Sequence, residues 1–117
     1  MPKQIFYRYR FVIHLPTLDN DGNKIAPSLI QKAFGDLRRH FGGYTTSSYA
    51  GYPSYTGFYS GPDGKSYTDY IYIIYVDVED SEKVNKATEF FQRFRAKYMT
   101  LFHQSELYII YYPVTKI

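Results

Sequence analysis

A four-stranded antiparallel sheet with two helices on one face, the ferredoxin-like β-α-β-β-α-β arrangement of the α+β class, is the fold that three features of the sequence predict. The 117 residues suit one domain, residues 1–117. One stretch alternates with a period of two, three others read as strands between turn signals, two of them apolar on both faces, and in two more stretches apolar residues recur every three to four positions. These stretches follow one another as strand, helix, hairpin, helix, strand, an order that is most economically closed as a split β-α-β pair.

The first strand covers Gln4–His14: Ile5, Tyr7, Tyr9, Phe11 and Ile13 share one face, and Phe6, Arg8, Arg10, Val12 and His14 share the other. Leu15-Pro16 ends it, and Asp19-Asn20-Asp21-Gly22-Asn23 reads as a polar turn. A calcium loop starting at Asp19 would need a bidentate acid where Ile30 stands, so the turn reading is preferred. Ser28 and Gln31 have capping-box spacing, after which Ile30, Phe34, Leu37 and Phe41 define a helix that Gly42-Gly43 stops. Lys32, Asp36 and Arg39 form its solvated side.

The Tyr/Ser/Thr/Gly-rich stretch 44–60 reads as a loop or short edge strand leading into a strand over Tyr55–Ser60. Gly61-Pro62-Asp63-Gly64 turns the chain into Tyr67–Val78, a strand apolar on both faces. Asp80 or Ser81 caps the second helix, whose Val84, Ala87, Phe91, Phe94 and Tyr98 run on one face to about His103. Leu107–Tyr112 is the last strand, with Pro113 expected to terminate it. The first and third strands are expected at the centre.

Two helices cover one face of such a sheet. The other carries a row of Ile and Tyr beside Arg8 and Arg10, more apolar surface than monomers usually leave open. A homo-oligomer, with sheets packed face to face or last strands paired edge to edge, is therefore expected. Fifteen Tyr and nine Phe without Trp make up 21% of the chain, and the helix-borne rings are assigned to the core. The tyrosines of 44–60 and of one sheet face remain for function.

Composition narrows the chemistry. With 44% hydrophobic and 21% charged residues the chain is globular, and its net charge of +3 is too mild to compel nucleic-acid binding. Zero Cys excludes disulfides, thiolate catalysis and Cys-bearing metal sites. No apolar run reaches membrane-spanning length and none reads as a signal peptide, so a cytoplasmic location with no membrane partner is expected. His14, His40 and His103 have no second ligand at metal spacing, and His40 and His103 suit helix C-termini. No His-x-His accompanies Tyr98 as a replication-initiator nucleophile would require, and neither a nucleophile elbow nor a P-loop is present. No cofactor, metal or catalytic residue is assigned.

Three uses of the domain follow. The first is a non-enzymatic oligomeric binding module that holds a small anionic ligand such as a nucleotide through Arg8 and Arg10 together with Tyr and Thr groups of the 44–60 loop, Tyr44, Thr45 and Tyr59 among them. The second is single-stranded nucleic acid stacked on the aromatic-basic face, although the third strand lacks the glycine of the RNP1 pattern. The third is a structural or protein-interaction role with no ligand.

Phe41-Gly42-Gly43-Tyr44-Thr45, Gly57-Phe58-Tyr59, Asp63-Gly64-Lys65 with Asp69, and Phe102-His103-Gln104 before the last strand form a further pattern. In it the chain resembles a scattered group of small bacterial and phage proteins without assigned function, over roughly residues 30–112. The resemblance implies the same ferredoxin-like fold and a polar cluster of Thr45, Asp69 and Gln104, and it assigns no substrate. The chain departs from the group in having Tyr59 where Trp is expected and in its longer Tyr/Ser loop.

Overall fold

The computed structural model describes residues 6–49, 52–53, 55–60 and 63–117, with side chains described except at 6, 7, 48, 49, 52, 53, 55–59 and 67–69. Strand β1 (Phe6–Pro16) lies at the centre, antiparallel to β6 (Ser66–Val78) on one side and β7 (Ile109–Lys116) on the other. The outer edge of β6 pairs with two pieces of chain, β2 (Thr45–Thr46) against its C-terminal half and β5 (Tyr55–Ser60) against its N-terminal half. A further pair, β3 (Ser48–Tyr49) with β4 (Tyr52–Pro53), lies between them in sequence. With helices α1 (Pro27–Phe41) and α2 (Ser81–Leu101), this is the ferredoxin-like α+β arrangement, its first and third long strands central.

Alternation decides which residues meet the helices. Phe11, Ile13 and Leu15 of β1 and Ile74, Val76 and Val78 of β6 join Ile30, Ala33 and Leu37 of α1 and Val84, Ala87, Phe91, Phe94 and Tyr98 of α2 in one buried core. Rings make it continuous: Phe11 stacks on Phe91 at 4.9 Å between centroids, Phe91 on Phe41 at 5.3 Å, and Phe94, Tyr98 and Phe102 follow along α2.

Several ends differ from the sequence expectation. Helix α1 begins at Pro27 behind Ala26, with no side-chain cap, so the Ser28/Gln31 box does not form; Pro at the first helical position needs no donor and presets φ. Gly42 closes α1 in the left-handed region as expected, its N–H bonding the Arg38 carbonyl. Asp80 caps α2 through Lys83 N, also as expected. The helix stops at Leu101 rather than His103, because His103 adopts φ 49° and the N–H groups of His103 and Gln104 turn back to Thr100 and Met99, a Schellman closure.

Pro113 does not end the last strand. The His14 N–H bonds the Tyr108 carbonyl. In an antiparallel ladder, alternate residues point their polar groups to alternate sides, so 108, 110, 112 and 114 bond inward to β1 and 113 points outward. A missing donor costs nothing there, and the strand continues to Lys116. The Asp19 turn behaves as expected: its carboxylate accepts from the N–H groups of Asp21 and Asn23. The expected hairpin turn at Gly61-Pro62 and the first-strand residue Ile5 lie outside the described residues.

Beyond the pair Pro16↔Ile71, strand β6 has no β1 beside it, while its pairing with β5 continues from Tyr55↔Ile71 to Ser60↔Ser66. Residues 55–60 and 66–70 therefore form a two-stranded arm that projects past the four-stranded sheet. The radius of gyration, 15.9 Å, exceeds the ~13 Å expected of a compact domain of this length.

Candidate functional site

The face of the sheet away from the helices carries the even residues of β1 and β7 and the odd residues of β6. Down its middle run Arg8, Arg10, Val12 and His14; alongside them lie Val114, Tyr112, Ile110 and Tyr108 on one flank and Asp77, Tyr75, Ile73 and Ile71 on the other. Tyr108 is 48% exposed, Ile110 39% and Tyr112 40%. His14 stacks against Tyr108 at 4.7 Å, and its burial pushes the imidazole below its ordinary pKa.

The two arginines are already engaged. Arg10 grips Asp77 with both prongs, Nε at 2.8 Å and an Nη at 3.1 Å, and its guanidinium lies 5.1 Å from the centre of the Tyr75 ring. The Asp77 bond holds the Arg10 guanidinium above its usual pKa, and the same bond holds Asp77 below the usual carboxylate range. Arg8 lies 3.9 Å from Glu79. An anion arriving at Arg10 would compete with a bidentate carboxylate in place.

The residues singled out by sequence are only partly brought together. Thr45 pairs with Tyr75 and so shares the open face with Arg10. Tyr44 turns to the other side, its ring 5.2 Å from Phe34 of α1. Tyr59 and Asp69 belong to the arm, and their side chains lie outside the described residues. Thr45 and Asp69 attach to β6 six residues apart, roughly 20 Å along a strand. Gln104 sits at the end of α2 and donates its side-chain amide to the Leu18 carbonyl, while Thr17 donates to the Tyr70 carbonyl at 2.6 Å. These bonds tie the loop after β1 to both α2 and the root of the arm. Gln104 therefore stands at the end of the sheet opposite Arg8.

A second polar constellation was not singled out from the sequence. Asp36, read there as part of a solvated helix face, accepts from Lys97 Nζ at 2.8 Å, from the Tyr98 hydroxyl and from Arg39. Burial alone would push the Asp36 carboxyl up, but these three donors outweigh it and bring it down to about 2. Burial, and then the neighbouring carboxylate, push the Tyr98 hydroxyl up. Asp36 thus pins α1 to α2. The i, i+3, i+4, i+7 spacing of Phe90, Arg93, Phe94 and Lys97 was the available signal, since it places two cations and two rings on one helical stripe.

The fold and the half-covered sheet define a small ferredoxin-like α+β domain with one open, aromatic face. No protein-family model, curated protein or solved structure matches the chain. Among the described residues no group of three or more His, Asp or Glu is placed to hold a metal ion, and no helix is long and apolar enough to cross a membrane.

Proposed function

We propose that this domain is a non-enzymatic association module whose open sheet face packs on the same face of a second copy. One observation carries the reading: Tyr108, Ile110 and Tyr112 form an exposed row on a face that neither helix covers. Tyr and Arg are the residue types that interfaces favour at their centres. Around the centre of this face Arg8 and Arg10 are balanced by Asp77 and Glu79 within one copy, with Lys116 at its end, so two identical faces meet there without strong repulsion.

The edge of β7 suits association less well. Pro113 removes a donor from the middle of its outward row, which blunts strand-to-strand addition. Single-stranded nucleic acid is the weaker reading, since its phosphates would meet Asp77 and Glu79 beside the arginines. Sedimentation over a micromolar concentration range tests the proposal. A species of about 28 kDa, twice the 13.8 kDa chain, is expected, with Ile110→Asp returning it to the monomer mass. A wild-type chain that stays monomeric throughout contradicts it.

A further inference from the structure

On the opposite side of the domain, α1 and α2 part to leave an open groove of about 390 Å³, lined by Asp36, Arg39 and His40 of α1 and by Phe90, Arg93, Phe94 and Lys97 of α2. Three fixed cations line it against a single carboxylate. That carboxylate is already engaged: Lys97, Tyr98 and Arg39 all donate to it. The bonds to Asp36 use one N–H each of Arg39 and Lys97, leaving four donors on the guanidinium and two on the ammonium of the five and three these groups carry. Arg93 meets no carboxylate within ion-pair distance among the described residues. The His40 ring is stacked on Phe90 at 4.1 Å, which fixes the rim of the groove beside these donors.

We infer that this groove binds a small molecule carrying two or more linked phosphates. Asp36 acts as the positioning residue, because it holds Arg39 and Lys97 at the groove without cancelling both charges. Less the Asp36 carboxylate, Arg39, Lys97 and Arg93 leave the groove a net charge of +2, spread over two helices rather than gathered at one point. The groove also falls within the range of ordinary small-ligand sites and exceeds what a single phosphate fills. Guanidinium forks recognise phosphate oxygens two at a time, and three cations on two facing helices can grip neighbouring phosphates together. The groove lies on the helix side of the sheet, so its occupation is independent of association through the open face.

Calorimetric titration of the full chain with sodium pyrophosphate at low salt tests the inference. One site per chain is expected, with orthophosphate binding more weakly. Arg93→Glu should weaken pyrophosphate binding by roughly tenfold or more, and Arg93→Ala by less, whereas Lys65→Glu, the same charge change at an exposed position at the end of the arm, should weaken it by no more than about twofold. Melting temperatures of the three variants confirm that each is folded; Arg93→Ala serves if Arg93→Glu is not. Absence of pyrophosphate binding, equal losses from Lys65→Glu and Arg93→Glu, or equal affinity for orthophosphate would each overturn the inference.

Discussion

The two faces of one sheet are built from the same residue types and differ in what covers them. On the helix side Phe11, Phe91 and Phe41 stack in sequence and are closed over by two amphipathic helices. On the other side Val12 is buried outside that core and Arg10 reaches over Tyr75 to Asp77, while Tyr108, Ile110 and Tyr112 remain open. Aromatic content therefore says little by itself. The same ring stabilises the fold on one face and is available to a partner on the other.

Substitutions on the two sides should behave oppositely. The largest effect is expected in the covered core, where Phe91→Ala leaves a cavity beneath Phe11 and should cost about 3–5 kcal/mol of folding stability by denaturant titration. Asp36→Asn, at the junction of the helices, should cost about 2 kcal/mol at neutral pH, because the native carboxyl sits near 2 against an ordinary 3.8. That contribution is fully present above about pH 3.8 and is lost as pH falls toward 2, so wild type and Asp36→Asn should converge in acid.

Ile110→Asp on the open face should change the folding stability of the monomer by less than about 1 kcal/mol yet weaken association by roughly tenfold or more. A comparable loss of folding stability would mean that the face is core rather than interface. The smallest effect is expected at His14. Burial lowers its pKa, so the unfolded chain takes up this proton first as pH falls. Its contribution is complete above the ordinary value near 6.5 and is lost below it, and His14→Leu should flatten the stability profile in that window.

Much of this architecture is legible in the sequence because it depends on local periodicity. The alternation in β1 and β6 separates the two faces correctly, and Gly42 and Asp80 mark helix ends because each acts within one turn of its own helix. What escapes is whatever depends on two elements meeting. Pro113 reads as a terminator until β7 is known to be an edge strand. Asp36 and Arg39 read as solvated on a single helix, and only the approach of Lys97 and Tyr98 from α2 turns them into a clamp and a groove wall. Gln104 reads as part of a polar cluster with Thr45, but its amide and its N–H are spent on closing α2 and holding the loop after β1.

Tyr111 and Tyr112 allow the most direct test of the distinction between the faces. They are adjacent in β7 and nearly equally exposed, at 49% and 40%, but Tyr111 stacks on Phe11 on the helix side while Tyr112 lies on the open face. Hydroxyl-radical footprinting at low and high protein concentration compares them within one strand. Concentration-dependent protection of Tyr112 and Tyr108, with Tyr111 unchanged, is the expected result. Protection of Tyr111 instead, or of none of the three, would contradict association through the open face.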